Sequence, residues 1–399
     1  MTPYERVLLF SGGSTRFGYY LGSYAALCEF GLPPDLILAS CGGSLAALLV
    51  DIAPDPKDLR DLSQSQILYQ ALGKTQPTDA TNSFSMTNHR HLYQALKRYC
   101  LSQNHLNQSY LNQNRNQSYL NQKLKKFADY HDSDRMECLL DELKNQALFT
   151  IDNDWLTPLL TLKADLTTKN TTSSPDIAII ASRFYQPNNK NEFANNPKVK
   201  TPNFYLQEVL FAPKALANHP LLTAMTCPLH QAAPNRIAKS IYPVFDWQFQ
   251  HAVRASIADM YYLSPIYIDG VGWSLGGVID LTPIEMAVTL GKMVFAETKA
   301  DYDQKLAVPA IKYVFGFDPN QRWRNVYQEF SDSSKYNVHW LPFADQVAAL
   351  NGNYMAKKFR PLLGKVELNY PSYDKFVQQM AAQWQFGYQR TSDYLKSLL

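Results

Sequence analysis

Between Arg6 and Ile52 the apolar positions fall into two kinds of run. Residues 7–10 and 36–39 are short and continuously apolar, and each ends at glycine: the turn Ser11-Gly12-Gly13-Ser14-Thr15-Arg16-Phe17-Gly18 after the first, and Ser40-Cys41-Gly42-Gly43 after the second. Short apolar runs bounded by glycine predict buried strands. An Ala/Leu-rich segment ending at Gly31 and the segment opening at Ser44-Leu45-Ala46-Ala47-Leu48-Leu49 carry helix formers. The pattern therefore predicts strand, turn, helix, strand, sharp turn, helix, the opening of a parallel sheet with crossovers. Further on, residues 176–181 predict another buried strand, with 204–211 as its antiparallel partner. Residues 245–260 predict a helix and 311–317 a late strand. Thr282 and Glu285 have the spacing of a capping box, with Pro283 at the first helical position. From 372 to 399, Phe376, Met380, Trp384, Tyr388 and Leu395 recur at roughly helical spacing, which predicts a terminal helix docked on the body.

The second glycine turn has the form of a nucleophile elbow. A residue caught between a strand end and a helix start projects from the sheet edge beside the free N–H groups of that helix. The strand and helix approach closely there, so its neighbours must be small, and Gly42 and Gly43 are. The tip residue is Cys41.

These features resemble the patatin-like phospholipase family, which pairs a glycine-rich oxyanion turn after its first strand with a Gly-x-Ser-x-Gly elbow. The resemblance returns downstream in the block from His251 to Gly291, with Arg254-Ala255-Ser256, Ser264-Pro265, and Gly276-Gly277 ahead of an apolar helix. It implies an α/β, three-layer fold with a mainly parallel central sheet flanked by helices, and a lipid or acyl-chain ligand. The family's catalytic pair is a serine at the elbow and an aspartate before a glycine pair. Here those positions hold Cys41 and Leu275. The oxyanion turn, Gly12 and Gly13 with Arg16, carries Ser14 where the family usually has glycine.

In such a dyad the carboxylate accepts the hydroxyl proton as attack begins, and backbone N–H groups of the glycine turn hold the developing oxyanion. With leucine in the aspartate's place the proton acceptor is gone, a loss typically worth about 10²–10⁴ in rate. A thiol at a helix N-terminus depends less on a base, because the helix dipole favours its thiolate. A small soft residue filling the elbow is the plainer reading of Cys41. Asp280 is a weak substitute for the missing base, better than Asp269 in its Asp-Gly turn, though local hydrogen bonding accounts for both. Shifting the elbow to Ser44 would shorten the helix. The glycine spacing fits neither GxGxxG nor a P-loop. The expectation is a catalytically impaired lipid- or acyl-binding or regulatory protein. Its competitor is a Cys41-dependent acyl hydrolase or acyltransferase acting on lipid esters or thioesters.

Composition narrows the rest. Net charge is +3 with 18% charged residues, which gives no electrostatic footprint for nucleic acid. The 25 Tyr and 20 Phe are read first as packing and only second as lipid contact. Five scattered cysteines have no metal-ligand spacing, so no metal or cofactor is expected and a reduced, cytoplasmic chain is. The first predicted strand leaves no room for a signal peptide and no run reaches membrane-span length, so any membrane contact would be peripheral. Residues 75–170 shift to Asn, Gln, Ser and charge. NQSYLNQ occurs twice there, alongside His89, His91 and Lys123, Lys125 and Lys126. That stretch predicts a polar, helical or partly disordered insertion within one discontinuous domain spanning 1–399.

Overall fold

A computed structural model describes residues 2–12, 16–77, 136–167 (except 146 and 148), 174–187, 204–350 (except 261, 303, 305 and 306), 356–360 and 365–398. Its opening follows the predicted order: β1 (Tyr4–Phe10), α1 (Gly18–Glu29), β2 (Leu36–Ser40) and α2 (Gly42–Ile52). The middle supplies α3 (Thr157–Thr167), β3 (Asp176–Tyr185), β4 (Tyr205–Phe211), β5 (Tyr242–Val244), α4 (Phe249–Ser256), β6 (Ile266–Ile268) and β7 (Gly272–Leu275). Then come α5 (Ile284–Leu290), β8 (Gly291–Glu297), α6 (Ala307–Phe315), α7 (Pro319–Phe330), β9 (Val338–Leu341) and α8 (Tyr373–Lys396).

The sheet runs β9-β8-β1-β2-β3-β4-β5, with β7 also paired to β3 and β6 to β7. Pairings from β9 through β3 are parallel, and β3–β4 is antiparallel. Its strands are nearly all apolar because helices cover both faces. Alternate strand residues feed two cores: Ile37, Ala39, Ile179 and Phe295 enter one, and Leu36, Leu38, Ile180 and Val294 the other. The fold is thus the expected α/β architecture of a mostly parallel sheet flanked by helices.

The terminal helix docks as its spacing predicted. α8 lies along α1 so closely that a side chain on Gly387 would overlap the backbone of Tyr19, and one on Gly22 the backbone of Trp384. Gln383 Oε1 accepts the Gly18 N–H at 3.0 Å, and Thr391 Oγ1 donates to Ser23 Oγ at 3.0 Å.

Two local expectations are corrected. Residues 311–317 are not a strand: Ile311, Val314 and Phe315 lie on the buried side of α6. The capping box does not form. Pro283 precedes α5 as its cap residue, without a side-chain cap, and the Glu285 carboxylate is instead held by Arg322 at 2.5 and 2.6 Å. The core of the amide-rich stretch, including both NQSYLNQ copies, His89, His91 and the three lysines, lies outside the described residues. Its C-terminal part buries Leu139, Leu143, Trp155, Leu156 and Leu159.

Candidate active site

In a parallel sheet the strand C-termini share one edge, and this register aligns them. Phe10 pairs with Ala39 and Ser40 with Ile180, while Leu8 pairs with Phe295, so Glu297 comes level with Phe10. Cys41 sits at this edge with φ 50° and ψ −125°, the one non-glycine residue of positive φ among the described residues. Such a conformation costs on the order of 1–3 kcal/mol and persists only where its surroundings dictate it. They do here. The Cys41 N–H donates to Ser256 Oγ at 2.8 Å, Ser256 Oγ donates to the Ile180 carbonyl at 2.6 Å, and the Cys41 carbonyl accepts from Ser44 Oγ at 2.6 Å. On the helix side, a Cβ on Gly43 would overlap the Phe10 carbonyl. The Ser44 hydroxyl is thereby committed to the elbow's own backbone.

The downstream block meets the elbow along β3. β2 ends where Ser40 pairs with Ile180, and β7 takes up the same strand edge two residues on, where Ser182 pairs with Leu275. The Gly276-Gly277 pair follows, and a Cβ on Gly277 would stand 2.9 Å from the Cys41 nitrogen. Leu275 itself is fully buried in the core formed by Leu38, Ile180, Val278 and Ile279. The Arg254-Ala255-Ser256 signature acquires a structural meaning: Ser256 ties the elbow to β3, and buried Arg254 Nη2 donates to the Ser264 carbonyl at 2.9 Å. Burial pushes the Arg254 guanidinium down to about 10.

Of the glycine turn, Gly12 and Arg16 are described; Gly13 and Ser14 lie outside the described residues. A Cβ on Gly12 would stand 3.4 Å from the Cys41 Cβ and collide with Leu281. The turn and the elbow therefore touch, and Leu281 covers the contact. Arg16 is half-buried, its Nε has no hydrogen-bond partner, and burial lowers its pKa from the ordinary arginine value. Asp280 does not stand loose beside the elbow. Its buried carboxylate accepts from Arg322 Nη2 at 3.2 Å and from the Thr282 N–H at 3.1 Å.

A polar cluster at the same edge escaped the sequence reading. Glu297 accepts from Ser11 Oγ (2.5 Å), Tyr20 (2.7 Å) and Tyr19 (2.7 Å), and pairs with Lys299 at 3.2 Å. Lys299 Nζ also donates to the carbonyls of Gly12 (3.3 Å) and Leu281 (3.1 Å), clamping the glycine turn to the loop after Gly277. Burial alone would push the ammonium down, but Tyr302 and Glu297 beside it hold it above its ordinary value. The one sequence signal was two charges, Glu297 and Lys299, at the end of an apolar strand.

The family model of the patatin-like phospholipases matches residues 8–288, from the first strand through the Gly276-Gly277 block. The chain belongs to the patatin-like phospholipase family. Its fold is that of lipid acyl hydrolases, a family that acts on lipid substrates. A comparison with curated proteins finds no match. Among solved structures, the chain is similar to VipD from Legionella pneumophila, at 12% identity and a TM-score of 0.34, covering 99% of this chain and 67% of that one. Among the described residues of this patatin-like chain, no helix is long and apolar enough to cross a membrane.

Proposed function

We propose that this patatin-like chain is a catalytically impaired lipid acyl hydrolase that serves as a lipid- or acyl-binding or regulatory protein. The observation that carries the reading is the burial of Leu275: on the register of the family resemblance it takes the aspartate's place, where an aliphatic side chain would supply no proton acceptor. The candidate replacement, Asp280, is engaged by Arg322 and a backbone N–H, which supports a structural role for it. Gly12, Gly42 and Gly43 with Arg16 would then line an acyl-ester site without driving hydrolysis. The ligand is a lipid or acyl chain, the setting cytoplasmic, and any membrane contact peripheral; neither nucleic acid nor a cofactor enters.

One observation favours the competing reading. Cys41 keeps the strained positive-φ backbone of an elbow at the N-terminus of α2, a cost that a merely space-filling residue would not need. Under that reading Cys41 is the nucleophile of an acyl transfer from a lipid ester or thioester. Incubation with short p-nitrophenyl esters and an acyl-CoA, beside Cys41→Ala, separates the two. Fatty acid bound without turnover supports the impaired hydrolase; turnover that disappears in Cys41→Ala overturns it in favour of the cysteine enzyme. The double variant Cys41→Ser with Leu275→Asp asks whether the scaffold still supports hydrolysis, and gained esterase activity would place the lesion in these two positions together.

A further inference from the structure

Between β4, residues 221–228 and α5 lies a cavity of about 250 Å³ lined by Glu208, Asp280, Glu285, Met225, Met286 and Ile241, among others. It is far larger than a single water requires and slightly below the ~300 Å³ at which drug-sized sites begin. Its carboxyl groups are unequally provided for. Arg322 grips Glu285 with two hydrogen bonds and Asp280 with a third. Glu208 is fully buried on β4, lines the cavity, and neither of its oxygens has a hydrogen-bond partner of acceptable geometry. The buried Cys227 thiol lies against it and favours its ionised form. A buried carboxyl facing open space with no more than a thiol as donor costs stability unless something else supplies a stronger one.

We infer that this cavity is a binding site for a small organic ammonium compound, with Glu208 as the carboxylate that receives the cation and Met225, Met286 and Ile241 as the wall for its alkyl part. The one guanidinium here is taken by Asp280 and Glu285, which leaves Glu208 without a cation, and an ammonium group supplies both charge and donors. A metal ion fits less well, since the described residues contain no group of His, Cys, Asp and Glu arranged to hold one. The sulfur- and methyl-lined wall also suits an alkyl chain. Burial, and then the charge of Asp280, pushes the Glu208 carboxyl up to about 8, with Glu285 adding to the rise and Cys227 and Arg322 opposing it. Below that pH the empty cavity holds neutral Glu208. Binding of the cation then transfers one proton from Glu208 to solvent, while the alkylammonium keeps its own.

Calorimetric titration of the full chain with n-butylamine, and with n-butanol as its uncharged counterpart, tests this. Binding of the amine at about millimolar affinity, with the alcohol at least about tenfold weaker, is expected. Affinity should rise between about pH 6 and 8, with a proton released to buffer. Glu208→Gln should weaken the amine at least about tenfold and abolish the proton release. Vesicles of phosphatidylethanolamine that displace n-butylamine would identify a lipid headgroup as the source of the ammonium, and failure to displace it a free amine. Equal binding of alcohol and amine, an unaffected Glu208→Gln, or no heat at ~10 mM amine overturns the assignment.

Discussion

Replacing Glu208 with glutamine should stabilise the protein, by an amount that grows with pH. An ordinary glutamate ionises near 4.5, and this one holds its proton to about 8 because the folded chain has buried it beside Asp280. Below about 4.5 both folded and unfolded chains carry the proton and the side chain has no pH-dependent effect. Above that, the unfolded chain sheds the proton and the folded chain keeps it, so folding takes up a proton and wild-type stability falls until about pH 8. At ~1.4 kcal/mol per pH unit, the penalty is about 3 kcal/mol at pH 7 and on the order of 5 kcal/mol above pH 8. Glutamine cannot ionise, so the variant escapes it. Its amide faces the same donor-poor cavity, which adds a constant offset of about 1 kcal/mol in either direction. The diagnostic quantity is therefore the slope. Equilibrium urea unfolding of both proteins, followed by tryptophan fluorescence between about pH 5 and 8, should show the variant gaining on wild type at each step. A stability difference that stays flat across that range would mean Glu208 ionises at its ordinary pH, and the reasoning would fail.

Other perturbations probe the rest of the molecule. Lys299→Met removes the cation beside buried Glu297 and the clamp between Gly12 and Leu281; it should cost about 3–5 kcal/mol and speed amide exchange at Ser11 and Gly12, read by hydrogen exchange. Gly387→Ala drives a methyl group into the α1 backbone; a loss of about 3 kcal/mol and faster proteolysis after residue 370 are expected, and an unchanged melting temperature would contradict the close crossing. Leu275→Asp alone should cost about 2–5 kcal/mol through lost core packing, with the loss smaller in acid where the new carboxyl is neutral, measured by thermal unfolding across pH.

What the sequence disclosed, it disclosed where neighbours in the chain decide the outcome. The runs at 7–10 and 36–39, the glycines beside Cys41 and the helical spacing of Phe376 through Leu395 are local patterns, and the fold follows them. The elbow's unusual backbone was legible because Gly42 and Gly43 leave room for it. Where distant residues decide, the pattern misled. Thr282 and Glu285 had the spacing of a capping box, but Arg322, 37 positions on, offers Glu285 a charged partner that a backbone N–H cannot match. The apolar run at 311–317 could serve either helix or strand, and the core it meets chose helix. Leu281, Glu297 and Lys299 gain their relation to the elbow through contacts spanning up to 287 residues, which no spacing rule encodes.

The crossing of α8 on α1 has a consequence for biosynthesis. The carbonyl oxygen that receives the Gly18 N–H belongs to Gln383, 365 residues later. At ~5–20 residues per second a ribosome needs roughly 20–70 s to cover that interval. For that time the first helix, with its flat glycine face uncovered, must wait beside a sheet whose order β9-β8-β1 also draws late strands against an early one. The nascent chain thus spends its elongation with an unclosed apolar seam, a natural point of engagement for a chaperone.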